Sequence, residues 1–272
     1  MFTCHAGPQI MGILNVTPDS FSDGGHYTGL KAALAQAEHL LQEGADIIDI
    51  GGESTRPGSE PVSAVEQIRR VVPVIEALRQ SHPDVVISID TTSSAVAAKA
   101  LDAGANVIND ISAGLGDAEM LALAAARQVP IILMHMQGTP KTMQDDPVYE
   151  DVMAEVTVFL RQRIAAALAA GIKPENLAID PGIGFGKRKQ DNLTLLAHLD
   201  EFVALGYPVL LGASRKRFMG SICRVEAPHE LVTATAVTTA LGVMAGVQMF
   251  RVHDVKANRQ AADVAWAIKQ AR

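Results

Sequence analysis

The chain contains GADIIDIGGE at residues 44–53 and the similar stretch GANVINDIS at residues 104–112. In both, a glycine ends a segment of helical periodicity, a mostly apolar run follows, and polar residues come next. A glycine at the end of a helix readily takes the left-handed conformation that stops it. A short apolar run bounded by such a turn is typical of a strand that is buried on both faces. The two stretches therefore predict units in which a helix ends, a buried strand runs and a polar loop follows.

The same pattern recurs along the whole chain of 272 residues. Apolar runs predict strands at residues 10–16, 46–50, 85–89, 106–109, 130–134, 177–179, 209–211 and 249–252. Segments with helical periodicity alternate with them, around residues 30–41, 62–75, 94–103, 118–127, 148–170, 192–205, 229–245 and 255–270. Eight such units are typical of a (β/α)₈ TIM barrel of about 250 residues, so we predict a single α/β domain over residues 1–272. An open doubly wound sheet is the alternative fold.

A polar residue lies at or near the end of each predicted strand. These residues are Asn15, Glu53, Asp90, Asp110, His135, Asp180, Ser214 and His253. In a barrel the carboxyl ends of all strands converge on one face, where the active sites of this fold lie. In an open sheet the same residues would spread along an edge. The pattern favours the barrel and predicts a polar site at that face.

Composition and charge limit the classes of function. Hydrophobic residues make up 48% of the chain and charged residues 19%, which is sufficient apolar content for a large core. The formal net charge of −7 argues against general binding to nucleic acid. No apolar run approaches the ~20 residues that span a bilayer, and the first residues lack the pattern of a signal peptide. We therefore expect a cytoplasmic protein that binds neither nucleic acid nor a membrane.

The glycine-rich segment GIGFGK at residues 182–187 is not a nucleotide-binding loop. Three residues separate Gly182 from Gly186, and Arg188 follows the lysine where a Walker A loop requires serine or threonine. The histidines are scattered and have no cysteine partners at metal-ligand spacing, so zinc is also unsupported. The sequence therefore predicts neither an ATP site, nor an NAD site, nor a zinc site.

The loops after the strands carry a set of longer motifs. They read NVTPDSFSDGG at residues 15–25, GGESTRPGS at 51–59, SIDT at 88–91, NDIS at 109–112, MHMQGTP at 134–140, DPGIGFGK at 180–187, GASRK at 212–216 and RVHD at 251–254. Either of the first two, taken alone, is explained as well by an ordinary turn or helix entry. Together and in this order, they resemble the signature segments of the dihydropteroate synthases over nearly the whole chain.

This resemblance implies a (β/α)₈ barrel and a transferase of folate synthesis. Such an enzyme joins 6-hydroxymethyl-7,8-dihydropterin diphosphate to p-aminobenzoate, with Mg²⁺ as cofactor. The family usually forms homodimers and is the target of sulfonamides, which mimic p-aminobenzoate. A methyltetrahydrofolate-type pterin methyltransferase and a non-catalytic pterin-binding paralogue are the alternatives. The methyltransferase has no need of the diphosphate site or of the two long loops after the first two strands.

By resemblance, one group of residues recognises the pterin ring. The ring is held by Asp90, Asn109, Asp180 and Lys216, and Met134 and Phe185 lie near the pocket. Asp180 would accept hydrogen bonds from the 2-amino and N3–H groups, and Lys216 would donate to the ring carbonyl and a ring nitrogen. Carboxylates and amides suit the edge of a pterin, because an unpaired polar group buried there costs a few kcal/mol.

A second group would bind the diphosphate. By resemblance it comprises Asn15, Thr55, Arg56, Arg251 and His253. Arg251 and His253 occupy alternate positions on the last strand, so their side chains point to the same side, and arginine offers a bidentate fork to phosphate oxygens. Asn15 matches the residue of the family's Mg²⁺ site. One protein ligand suits Mg²⁺, which keeps most of its waters and takes phosphate oxygens from the substrate.

By resemblance, a third group would border p-aminobenzoate. The carboxylate of that substrate also suits the helix N-terminus predicted at residues 214–217, because helix N-termini favour anions. This third group comprises Phe21, Thr55, Pro57, Ser214 and Arg217. Arg217 departs from the family, in which a serine commonly follows the lysine. Asp19 is our candidate for stabilising the cation-like methylene and for orienting or deprotonating the amine. The predicted catalytic residues are Asp19, Lys216, Arg251 and His253.

Overall fold

The computed structural model describes residues 7–17, 25–54, 58–139, 141–143 and 145–272, with only the backbone at residues 25–28. Five predicted site residues lie outside the described residues, and nothing in the fold bears on them. They are Asp19, Phe21, Thr55, Arg56 and Pro57.

Strands and helices alternate along the described chain. The strands are β1 (Gln9–Asn15), β2 (Ile47–Gly51), β3 (Val86–Asp90), β4 (Val107–Asp110), β5 (Ile131–Met134), β6 (Leu177–Asp180), β7 (Leu210–Leu211) and β8 (Met249–Val252). The helices are α1 (Gly25–Gln42), α2 (Ala64–Ser81), α3 (Ser94–Asp102), α4 (Met120–Arg127), α5 (Val152–Ala169), α6 (Lys189–Ala197), α7 (Leu199–Val203), α8 (Arg217–Cys223), α9 (Val232–Ala245) and α10 (Val255–Gln270). Each predicted strand is present, with its ends shifted by at most one residue.

The strands form one parallel sheet in the order β6-β5-β4-β3-β2-β1-β8-β7. The two end strands of this order meet at a single bridge between Ile179 and Val209, and the Ile179 N–H donates to the Pro208 carbonyl at 2.9 Å. The sheet therefore closes on itself, which confirms the (β/α)₈ barrel; the open-sheet alternative is wrong. Among the described helices, none is both long and apolar enough to cross a membrane.

The structure departs from the predicted helices in two places. The helix expected at residues 192–205 is divided into α6 and α7 at His198, whose backbone is not helical (φ −123°, ψ 35°). The imidazole Nδ1 of His198 lies 2.8 Å from the Thr194 carbonyl, which a continuous helix would use for a backbone N–H. Helix α8, which begins at Arg217, adds a short element between β7 and α9.

A ring of apolar side chains fills the lower part of the barrel. Each strand contributes one residue: Met11, Ile47, Val86, Val107, Ile132, Ala178, Leu210 and Met249. Because side chains alternate along a strand, the residue two positions further on faces the same interior. The next layer towards the carboxyl ends is Ile13, Asp49, Ser88, Asn109, Met134, Asp180, Gly212 and Arg251. The barrel therefore has an apolar floor with a largely polar layer directly above it.

Candidate active site

An arginine joins two buried carboxylates at the centre of the polar layer. The Nε of Arg251 donates to Oδ2 of Asp49 and its Nη2 to Oδ2 of Asp90, both at 2.6 Å. Asn109 donates through Nδ2 to the same Asp49 oxygen at 3.2 Å. Asp49 is fully buried and the Arg251 side chain is 18% exposed. This arrangement fixes a guanidinium on β8 at the height where β2, β3 and β4 end.

The environment of this network changes how its groups ionise. Burial raises the pKa of Asp90 to about 7, although the neighbouring Arg251 charge opposes that rise. Burial works against the charged form of Arg251, but the carboxylates of Asp49 and Asp90 outweigh it and raise the pKa of the guanidinium. Arg251 therefore stays charged, whereas Asp90 can change its protonation near neutral pH.

Asp180 and Lys216 form the other side of the same interior. Burial raises the pKa of Asp180 to about 6, despite the hydrogen bond its Oδ1 accepts from the Gly182 N–H at 2.6 Å and despite the nearby cations. Burial and the charge of Arg251 lower the pKa of Lys216 to about 8. The Lys216 Nζ lies 4.1 Å from the centroid of the Phe185 ring, a cation–π contact that holds the ammonium in place.

Three buried polar atoms in this interior have no hydrogen-bond partner among the described residues. They are Oδ1 of Asp49, Oγ of Ser88 and Oδ1 of Asp90. Asp49 pairs with Ser88 in the register of β2 and β3, and Gly51 pairs with Asp90 one layer higher. Unpaired buried acceptors are costly unless a ligand or water supplies donors. The cluster therefore suits a ligand whose edge carries several N–H groups.

The walls around the polar layer are apolar. Buried side chains of Ile111, Met134, Met143 and Phe185 form one cluster, with Met136 packed against it. Methionine adapts to flat surfaces, and an aromatic ring offers a face for stacking. A pocket with apolar walls and a polar base is suited to a flat, polar-edged heterocycle.

The loop between β6 and α6 lies very close to the end of β5. Gly182, Gly184 and Gly186 all have positive φ, at 69°, 82° and 61°. A Cβ at Gly182 would overlap the backbone carbonyl of His135, and a Cβ at Gly184 would lie 2.8 Å from Cδ of Lys216. Only glycine permits both this conformation and this proximity.

Gly182→Ala is therefore expected to lower the free energy of unfolding by about 3 kcal/mol or more, from left-handed strain and unrelieved overpacking together. Urea denaturation measures this loss. Gly206→Ala is the matched control, because Gly206 has φ +84° with nothing within 4 Å of the added Cβ. The control is expected to lose about 1 kcal/mol from strain alone. Equal losses in the two variants would contradict the role of the His135 contact.

The rim of the barrel carries the remaining described candidates. Oγ of Ser214 lies 3.0 Å from Nδ1 of His253 and accepts the His253 backbone N–H at 3.1 Å. Oδ1 of Asn15 and Oδ2 of Asp90 lie 3.5 and 3.7 Å from the position that a Cβ on Gly51 would take, so both oxygens lie beside that glycine. Arg217 begins α8 with an exposed side chain. The rim thus places a histidine, a hydroxyl and an amide near the polar interior.

Asp49 is a candidate site residue that was not predicted from the sequence. The predicted candidates lie at or near the strand ends, whereas Asp49 lies within β2, in the run IIDIG. Its signal was present: a charged residue at an inward position of an otherwise apolar strand is rarely buried unless it is paired. Its partner Arg251 is 202 residues away in the sequence, so the pairing appears only when β8 closes against β1.

The fold and this interior define a pterin-binding enzyme. The family model described as "Pterin binding enzyme" matches residues 11–253. The dihydropteroate synthase of Synechocystis sp. is 48% identical over 259 residues, covering 95% of this chain and 89% of the relative. The chain belongs to the dihydropteroate synthase family. It is a transferase of folate biosynthesis that joins the pterin-methyl group to p-aminobenzoate.

Solved structures agree with this assignment. The Xanthomonas albilineans dihydropteroate synthase with 4-aminobenzoic acid is 47% identical, with a TM-score of 0.91, covering 98% of this chain and 94% of that one. The same enzyme in complex with 7,8-dihydropteroate aligns at 44% identity with a TM-score of 0.87, covering 98% and 95%. The similarity extends over the whole barrel and is not confined to a motif.

Proposed function

We propose that the barrel mouth binds 6-hydroxymethyl-7,8-dihydropterin diphosphate in the polar interior and p-aminobenzoate at the rim. The C–O bond at the pterin methylene breaks, diphosphate leaves with the electron pair, and the arylamine nitrogen forms the new C–N bond and loses a proton. One observation carries this proposal. Arg251 pairs with Asp49 and Asp90, and each of these carboxylates has a second oxygen that is buried and unpaired among the described residues. One site then holds hydrogen-bond acceptors for the N–H groups of the pterin and a cation for the phosphate.

The polar layer would form hydrogen bonds with the edge of the pterin, and the apolar walls would contact the faces of its ring. Asp180 accepts from the 2-amino and N3–H groups, and Lys216 donates to the ring carbonyl and a ring nitrogen. Asn109 and Asp90 complete the edge, and Met134 and Phe185 contact the faces of the ring. The burial of Asp180, at 3% exposure, supports this role because a charged acceptor is strongest where water is excluded.

Departure of the diphosphate needs positive charge that is already in place. Arg251 supplies it from β8, and the His253 ring just beyond that strand adds a hydrogen-bonding group, because preorganised charges and donors usually dominate such a step. Thr55 and Arg56 would add to the anion site from the second loop, and Asp19 would stabilise the cation-like methylene and receive the amine proton. These three residues lie outside the described residues and enter through the resemblance of their loops.

We propose Mg²⁺ as the cofactor, held by Asn15. The side-chain oxygen of Asn15, which lies beside Gly51, is a hard donor of the kind that Mg²⁺ prefers. No group of three or more His, Cys, Asp or Glu side chains in the described ranges could hold a metal by itself. That fits an ion with one or two protein ligands and the substrate's phosphate oxygens. When bound, Mg²⁺ supplies positive charge that stabilises the departing diphosphate.

The p-aminobenzoate would lie at the rim, bordered by Phe21, Thr55, Pro57, Ser214 and Arg217. The backbone N–H groups at the start of α8 and the exposed Arg217 guanidinium suit its carboxylate. Arg217 stands in place of the hydroxyl that is common in the family, so a charge would replace a neutral donor at this position.

Diphosphate release tests the proposed reaction. The purified protein, incubated with Mg²⁺ and the pterin diphosphate, is expected to release diphosphate only when p-aminobenzoate is present, with 7,8-dihydropteroate formed in equal amount. Enzyme-coupled detection of diphosphate and chromatography of the product measure both. Methyl transfer from methyltetrahydrofolate would favour the methyltransferase alternative. Pterin binding without turnover would favour the non-catalytic paralogue.

We also propose a homodimer in which α9 and α10 meet their copies. Their outer faces expose Val237, Leu241, Val264 and Ile268, each more than half exposed, and grouped apolar exposure of this kind suits a protein–protein contact. Analytical ultracentrifugation tests this directly. The cytoplasmic location remains a prediction from the sequence.

A further inference from the structure

A buried lysine behind the pterin pocket has no place in the reaction as proposed above. Lys187 ends the loop between β6 and α6, and the residue is 3% exposed. Its Nζ donates to Nδ1 of His135 at 2.9 Å, to the Gly182 carbonyl at 2.8 Å and to the Phe185 carbonyl at 3.0 Å. An ammonium has three N–H donors, so all of them are used, and none of the acceptors carries a charge.

The histidine acceptor is fixed in the state that Lys187 needs. Burial and the charge of Lys187 lower the pKa of His135 to about 3, so the ring is neutral and its Nδ1 can accept. The ring packs edge-on against Phe159, with centroids 4.8 Å apart. This contact orients Nδ1 toward Lys187. The end of β5 therefore presents a rigid acceptor to the β6–α6 loop.

The bonds of Lys187 fix the parts of the loop that contact the site. Gly182 donates its N–H to Asp180, and Lys187 binds the carbonyl of the same glycine. Lys187 also binds the carbonyl of Phe185, whose ring supports the ammonium of Lys216. One buried side chain thus holds both the glycine whose N–H binds Asp180 and the residue whose ring contacts Lys216.

The charge of Lys187 also acts on Asp180. Among the described residues, three cations act on that carboxylate: Lys187 from the loop, Lys216 from the start of α8 and Arg251 from β8. Burial and the charge of Lys216 together lower the pKa of Lys187 to about 7, although Asp180 and Asp191 oppose the fall. Because the pKa of Asp180 is about 6, Lys187 is charged in the range where Asp180 loses its proton.

We propose that Lys187 is a positioning residue of the transferase: it fixes the loop that carries Phe185 and keeps the Asp180 carboxylate ionised, without touching either substrate. This inference rests on the proposed role of Asp180 as the acceptor of the pterin edge. A purely structural lysine would affect folding or overall activity, whereas this one also sets the pH at which the pterin site becomes competent.

The test is the pH dependence of kcat/KM for the pterin diphosphate, with p-aminobenzoate saturating. On the acid side of this profile, which we call the acid limb, kcat/KM falls as the pH is lowered. Lys187→Gln keeps N–H donors but removes the charge. It is expected to shift the acid limb to higher pH by about one unit, because a nearby opposite charge lowers a carboxyl pKa by about that much or more. Lys187→Arg keeps the charge, and its acid limb is expected to stay at the wild-type pH. Thermal melts check that both variants are folded.

Tyr149→Phe is the matched control for the loop alone. The Tyr149 hydroxyl donates to the Gly186 carbonyl at 2.6 Å, so this variant removes a neutral bond to the same loop. It is expected to lower kcat/KM at every pH without moving the acid limb. If Lys187→Gln behaves in the same way, or changes nothing, the proposal is overturned. Failure of both Lys187 variants to fold would make Lys187 structural and would also overturn it.

A further variant separates this inference from the proposed function. Asp180→Asn removes this titrating carboxylate and is expected to abolish the part of the acid limb near pH 6, leaving the part near pH 7 that belongs to Asp90. An unchanged limb in that variant would reject the role of Asp180, and the inference with it. Loss of the part near pH 6 in Asp180→Asn, together with an unmoved limb in Lys187→Gln, would reject only the role of Lys187.

Discussion

Asp180→Asn is expected to lower kcat/KM for the pterin diphosphate by about 10³-fold. The carboxylate is buried at the end of β6 and is assigned two N–H donors of the pterin. Charge-assisted hydrogen bonds contribute about 1.5–3 kcal/mol each, and asparagine would offer only one oxygen and a repelling N–H group. A loss of about 4 kcal/mol corresponds to the stated factor, since about 1.4 kcal/mol is tenfold. Steady-state kinetics at pH 8 measure it.

The stability of that variant should change little, which makes the result specific. Asparagine retains an oxygen for the Gly182 N–H that Asp180 now accepts. Asp102→Asn serves as the control, because Asp102 lies on the surface in a pair with Arg127. It is expected to leave kcat/KM unchanged. A loss smaller than tenfold in Asp180→Asn would show that the pterin edge is bound elsewhere.

Much of the fold was predictable because each strand lies within an apolar run bounded by turn residues. The strands at residues 47–51 and 86–90 illustrate this, since buried parallel strands cannot tolerate many polar side chains. The shortness of β7 was not predictable, because its pairing depends on the closing strands and not on its own residues. The break at His198 was hidden for a related reason: a side-chain bond to the Thr194 carbonyl leaves the helical periodicity intact.

The site was predictable where its residues end strands. Asp90, Asn109 and Asp180 occupy such positions, and the barrel brings their side chains to one interior, as expected from the convergence of strand ends. The role of each residue in binding stays a prediction. Asp49 and Lys187 were missed because one lies inside a strand and the other inside a glycine-rich loop. Their importance depends on partners that only tertiary structure brings near.

Arg251→Ala is expected to lower the free energy of unfolding by about 3–5 kcal/mol at pH 8, because it leaves two buried carboxylates without their cation. Asp49 is fully buried and the Asp90 side chain is 4% exposed.

Turnover of the pterin diphosphate by Arg251→Ala should also fall sharply, while p-aminobenzoate binding to a complex with product diphosphate should be affected far less. Equal and negligible effects on both would remove Arg251 from the diphosphate site.

The pH dependence of that stability loss separates charge from packing. The pKa of Asp90 is about 7 in the folded protein, above its ordinary value of 3.8. Between these values the folded state binds the proton more tightly, so stability falls as pH rises through this window. Removal of Arg251 takes away the influence that lowers this pKa. The penalty in Arg251→Ala should therefore stay nearly constant from pH 5 to about pH 7 and grow as the pH rises from 7 to 8.

Urea denaturation of wild type and Arg251→Ala from pH 5 to pH 8 measures that change. Arg127→Ala breaks an exposed pair with Asp102 and is the control, expected to lose less than about 1 kcal/mol at every pH. A penalty in Arg251→Ala that is the same at all pH values would mean lost packing and not uncompensated charge. Lower pH should reduce the stability penalty without restoring turnover, because protonation of Asp90 removes one buried negative charge but cannot replace the guanidinium that the diphosphate requires.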